Sequence, residues 1–127
     1  MTTLLVLYVA SGVLLVLIAL PLLFGKVPPN TFYGFRVAAT LDNPRLWYAV
    51  NQHAAKRLIV SGVSLMAAAV LLLFVPGITV DAYALGCLAV FGVVFGMGLF
   101  QSFRYIRAMS VTADDALQTT GKLPGDL

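Results

Sequence analysis

Leu4 to Phe24 is a run of 21 residues without a charged side chain, and two more uncharged runs follow it, Leu58 to Val75 and Ala82 to Phe103. An α-helix rises ~1.5 Å per residue, so each run covers most or all of a ~30 Å hydrocarbon core. A soluble domain of 127 residues has too little interior to hide three such stretches. Composition agrees: 61% of the residues are hydrophobic, 10% are charged, and the mean hydropathy is +0.97. The expected fold class is an all-α integral membrane protein with three transmembrane helices. The chain reads as a single membrane domain whose main partner is the lipid bilayer.

The boundaries follow from helix breakers. The first helix is expected over about 4–24, with Pro21 bending or ending its last turn. No Lys or Arg precedes it and no A-x-A site follows closely, so it reads as a retained helix and not as a cleaved signal. A loop and helix start occupy 25–57, and the second span covers about 58–75. Pro76 and Gly77 then make a tight turn into a third span at about 82–103. The tail, 108–127, is short and polar; Thr112 and Asp115 have capping-box spacing, but a frayed terminus is the expectation.

Charge sets the orientation. Lys26, Arg36, Arg45, Lys56 and Arg57 lie between the first two spans, and Arg104, Arg107 and Lys122 follow the third. Three crossings put all eight on one side, and the positive-inside rule makes that side cytoplasmic, with the N-terminus outside. The net charge of +3 is thereby explained by topology, and nucleic acid is not an expected partner.

The stretch from Lys26 to Arg57 has a different vocabulary from the rest. It holds five of the eight basic residues, the single His and the single Trp. Pro28, Pro29 and Asn30 cannot continue a helix, and Phe32, Tyr33 and Phe35 surround Gly34 in an aromatic knot beside Arg36. An interfacial aromatic belt is one reading of that knot. Gly34 points beyond a belt, to a backbone turn that a Cβ would obstruct. Asn43 before Pro44 is a helix start, an Asx cap followed by Pro at the first helical position. Nothing from Arg45 to Val75 stops that helix; the alternative is a short surface helix bending near Ala54, Ala55 and Lys56. On helical spacing Trp47, Asn51, Ala54 and Ala55 share a face that continues to Leu58 and Gly62. Trp47 then reads as a packing or interface anchor more than a ligand platform.

His53 has no second His and no Cys near it, so a metal site, which needs three or four ligands, is not expected, nor is any cofactor. It also lacks a partner that would tune it for acid–base chemistry, and a packing or hydrogen-bonding His is the simpler reading. The five carboxylates, Asp42, Asp81, Asp114, Asp115 and Asp126, all lie outside the spans. Ion or proton transport, which normally uses ionisable groups inside the membrane, is therefore not expected, and neither is catalysis. Cys87 lies alone in an apolar run and reads as a small buried hydrophobe.

In the third span Gly92 and Gly96 have small-xxx-small spacing, with Gly98 beside them. They are expected to pack helices, either within a three-helix bundle or in a homo- or hetero-oligomer. Gln101 and Arg104 follow on the basic side and read as part of the same polar surface.

The order Asn30, Tyr33, Gly34, Phe35, Arg36, then Thr40 and Leu41, then Trp47 and His53 beside a basic pair resembles the signature of the SdpI-type membrane protein family. The likeness covers about residues 25–62. The family's Thr-Pro after the Arg is Val37 and Ala38 here, and its glycine pair after the His is Ala54 and Ala55. The family's namesake is an immunity protein that protects its producer from a secreted toxic peptide and helps to sequester a repressor at the membrane. The resemblance implies a multi-pass protein of the bacterial inner (plasma) membrane that is not an enzyme. It implies a peptide, lipid or protein partner held at the cytoplasmic loop by Asn30, Tyr33, Gly34, Phe35, Arg36, Thr40, Leu41, Trp47, Asn51 and His53. A small accessory subunit of a larger membrane complex is the alternative.

Overall fold

The computed structural model describes residues 1–30, 32, 34 and 38–120, with the backbone alone at Ala38, Ala39, Ala113, Ala116, Leu117 and Thr120. Four α-helices follow in order: α1 (Thr2–Leu23), the single turn α2 (Ala38–Leu41), α3 (Pro44–Leu71) and α4 (Val80–Thr120). A 3-10 turn, Leu72–Phe74, extends α3. Three of these helices are long and apolar enough to cross a membrane.

α1 runs through Pro21 and stops two residues later. Gly25, at φ +66°, lets the chain reverse: its N–H meets Leu22 O at 3.2 Å and the Lys26 N–H meets Pro21 O at 3.0 Å. That pair of bonds satisfies carbonyls the helix end would leave bare. α3 starts where the Asx–Pro pair says it should. The Asn43 side chain accepts from the N–H groups of Arg45 and Leu46, and Pro44 occupies the first turn without losing a needed donor. Between the two sequence alternatives for 44–57, the structure has one unbroken helix. At α4 the Thr79 hydroxyl caps the Ala82 N–H, and Asp81 sits at the positive end of the helix dipole.

α4 continues to Thr120, so the polar tail expected to fray is helical as far as that residue, and 121–127 lie outside the described residues. No Pro or Gly interrupts Gln101 to Thr120, and Ala, Leu, Met and Gln in that stretch are good helix formers. At ~1.5 Å per residue α3 is about 40 Å long and α4 about 60 Å, both longer than a ~30 Å core. The excess lies at the end of the bundle that carries residues 25–30 and the start of α3, where Arg45, Lys56, Arg57, Arg104 and Arg107 are all exposed. We call this the loop end, and the end with Pro76 and Gly77 the turn end.

α3 is the centre: α1 and α4 each lie along it and make little contact with each other. They meet at the turn end, where the Tyr8 hydroxyl donates to Ala84 O at 3.2 Å and the Tyr8 and Tyr83 rings are 6.2 Å apart. Tyr83 in turn donates to Ala69 O at 2.8 Å, so both phenols have acceptors inside the cluster with Leu65 and Cys87. Cys87 is a free, buried thiol.

Bilayer hydrocarbon gives apolar side chains no reason to leave it, so helices associate in membranes by close backbone approach. Here that approach is between α1 and α3 at Gly12 and Gly62. A Cβ on Gly12 would lie 2.7 Å from Gly62 O, and one on Gly62 would lie 2.8 Å from Gly12 O. Of the two packing alternatives for Gly92 and Gly96, the one within the three-helix bundle is corrected: a Cβ at either meets nothing within 4 Å, and both face outward. Only Gly98 of that group packs, with a Cβ position 3.1 Å from Arg57 Cβ. Gly98 follows Tyr83, Cys87 and Phe91 on the inner face and precedes Ser102 and Ile106. Gly92 and Gly96 occupy the opposite face.

Candidate functional site

Residues 25–30 and Gly34 lie against the first turns of α3, and three features set the course of this segment. Asn30 makes its own turn: its Nδ2 donates to Pro28 O at 2.8 Å and its Oδ1 accepts the Phe32 N–H at 2.9 Å. Trp47, fully buried, reaches across from α3 and donates its Nε1–H to Val27 O at 2.9 Å. An indole nitrogen can only donate, so this bond both satisfies the ring and pins the loop. Gly34 is the third feature. Its φ of +106° is a conformation that L side chains rarely adopt, and a Cβ there would sit 2.7 Å from Asn51 Oδ1 and 3.2 Å from the Trp47 ring.

Asn51 lies one turn below Trp47 and donates its Nδ2 to Trp47 O at 2.9 Å. Gly34, Trp47 and Asn51 thus form one stacked unit. Thr40 is buried on the one-turn α2, and Leu41 next to it is half exposed. Tyr33, Phe35 and Arg36 lie outside the described residues, and with them the expected pairing of Arg36 with Asp42 or a helix end.

His53 points the other way, towards α4. Its ring stacks parallel on Tyr105 with centroids 4.4 Å apart. Its Nδ1 is buried and has no hydrogen-bond partner among the described residues. Around it Leu46, Val50 and Ile106 form a cluster with Met109, so the pairing of α3 and α4 continues past the apolar spans. Arg104 lies outward with its guanidinium 5.9 Å from the Phe100 ring centroid on its own helix.

The sequence-assigned residues therefore separate into two sets. Thr40, Trp47 and Asn51 are interior and shape the seat beneath the loop, and Gly34 leaves room for it. On the outside lies Phe32, 90% exposed, with exposed Lys26 and Arg45 on flanking segments. Sequence reasoning grouped Phe32 with the aromatic knot and did not single it out. Its signal was the Asx turn of Asn30, which ends at the Phe32 N–H and leaves the ring projecting.

The described part of the arrangement presents an exposed aromatic ring and basic side chains, and among the described residues no group of three or more His, Cys, Asp or Glu is placed to hold a metal ion. Compared with known proteins, the chain matches the model of the SdpI/YfhL protein family over residues 26–101, more than half of its length. That match takes in the loop, α3 and most of the apolar part of α4. No curated protein and no solved structure matches the chain.

Proposed function

The chain belongs to the SdpI/YfhL protein family, and from that membership we propose that it is a non-enzymatic protein of the bacterial inner membrane that holds a peptide, lipid or protein partner at its loop end. In this reading the loop end is cytoplasmic and the N-terminus external, since all eight Lys and Arg follow the first span or the third. The observation that carries the proposal is Phe32. An aromatic ring left 90% exposed, beside a turn closed by Asn30 and a segment that Trp47 ties to α3 through Val27 O, is already presented to a partner, which lowers the cost of ordering it on binding. Immunity to a membrane-active peptide, or signalling to a cytosolic regulator, is the specific form the family suggests.

A photocrosslinking amino acid at position 32 tests this in native membranes, together with a deletion strain challenged with membrane-active peptides. We expect a discrete light-dependent adduct and increased sensitivity. Unchanged sensitivity combined with no adduct would remove the basis of the proposal.

A second reading, a small accessory subunit of a larger membrane complex, is favoured by the open faces of Gly92 and Gly96. Purification in gentle detergent separates the two, because a single species of monomer or dimer mass argues against the subunit.

A further inference from the structure

Since α1 and α4 diverge after their contact at Tyr8, a cleft runs between them with α3 as its floor. Two hollows lie along it. The one nearer the turn end, about 300 Å3, has Leu14 and Leu15 on one wall, Leu88 and Phe91 on the other, and Leu65 below. The one nearer the loop end, about 280 Å3, has Ile18 and Leu22 opposite Phe95 and Leu99, with Ala54, Leu58 and Ser61 below. The walls of the second hollow follow those of the first by about one helical turn on each helix, so the two lie in line along one apolar strip of the cleft. Ser61 and Ser102, which also line it, donate their hydroxyls to their own helices, to Arg57 O and Gly98 O. They offer the cleft no free donor.

The cleft opens sideways. Ile18 and Leu99, on opposite lips, are 38% and 39% exposed, and what they face in a membrane is lipid. At the loop end the lining changes: Arg57 enters it, just where the apolar run that begins at Leu58 meets the headgroup level. Gly98 lets the base of the Arg57 side chain lie against α4, and no carboxylate pairs with Arg57 among the described residues. Gly34 and Asn51 also line the hollow at this end.

An elongated hydrocarbon slot that opens to lipid and ends at a cation matches one class of molecule. We propose that this cleft binds one acyl chain of an anionic phospholipid, which enters laterally between α1 and α4 and leaves its phosphate at Arg57. Each hollow taken alone is no larger than the smallest of the ~300–1,000 Å3 usual for small-molecule sites, and two such hollows in line suit a single chain and exclude a helix. This inference rests on the membrane fold and not on the Phe32 surface, so a failed crosslink at position 32 leaves it standing.

The test is native mass spectrometry of the purified full-length protein, released from detergent carrying phosphatidylglycerol and phosphatidylethanolamine in equal amounts. We expect one retained lipid, with phosphatidylglycerol preferred. Arg57→Gln should lower that preference about fivefold, the factor one cation near an anionic surface supplies. Lys56→Gln, exposed and outside the lining, should leave it unchanged. Ala54→Leu, which fills the floor, should abolish retention, and Leu99→Phe at the half-exposed lip should weaken it without displacing any buried neighbour. Equal retention of the two lipids, equal effects of the Lys56 and Arg57 variants, or full retention in the Leu99 variant would each overturn the proposal.

Discussion

At position 34 the backbone conformation and the space above it make the same demand. A side chain there would be strained at φ +106° and would also press on Asn51 and the Trp47 ring. Gly34→Ala should therefore destabilise the loop end by about 1–3 kcal/mol, the cost of a non-glycine residue held in a sparsely populated conformation. Thermal unfolding in detergent, followed by circular dichroism, measures it. Trp47→Phe keeps most of the ring and removes the donor, which leaves Val27 O without its bond at a part-buried position. The expected cost is about 1–3 kcal/mol, with faster proteolysis between residues 25 and 34. The role of Gly34 was legible before the fold was known, because a glycine within an aromatic cluster needs a steric reason. The partner of Trp47 was not, since Val27 lies 20 residues away and carbonyls carry no sequence signature. His53 was legible as a packing residue, but its stacking on Tyr105 depends on a helix pairing that sequence does not display.

Among the elements, the starts and stops were the readable part. Asn43 and Pro44 announce α3, and Asn43→Ala should cost it about 1 kcal/mol, the usual loss of an Asx cap. The inner face of α4 was not readable, because Leu, Val and Phe line every side of a lipid-embedded helix and leave little periodicity to follow. The small-xxx-small pair at Gly92 and Gly96 consequently pointed to a face that packs on nothing in this chain. Alanine should distinguish the two kinds of glycine. Gly92→Ala should leave the isolated chain as stable or raise it by up to about 1 kcal/mol through helix propensity. Gly12→Ala or Gly62→Ala must push α1 from α3, because each Cβ meets a backbone carbonyl that cannot turn aside. A clear drop in melting temperature is expected for both. The continuation of α4 to Thr120 was legible in principle: no breaker stands between Gln101 and Gly121, but polarity suggested fraying.

For the whole molecule, hydropathy alone led to three helices, since a bilayer accepts few other ways of burying such runs. What hydropathy could not supply was the arrangement. α3 stands between α1 and α4, reaches beyond the apolar zone with α4 beside it, and carries the family-typical loop on its first turns. The proposed function depends on which side of the membrane that platform faces. Cys87 is the single, buried cysteine, so a Cys87→Ala background allows one reactive thiol to be placed at will. Phe32→Cys in that background, treated with a membrane-impermeant maleimide, is the most direct measurement. The account predicts labelling in inverted inner-membrane vesicles and none in intact spheroplasts; labelling from the outside of spheroplasts would contradict it.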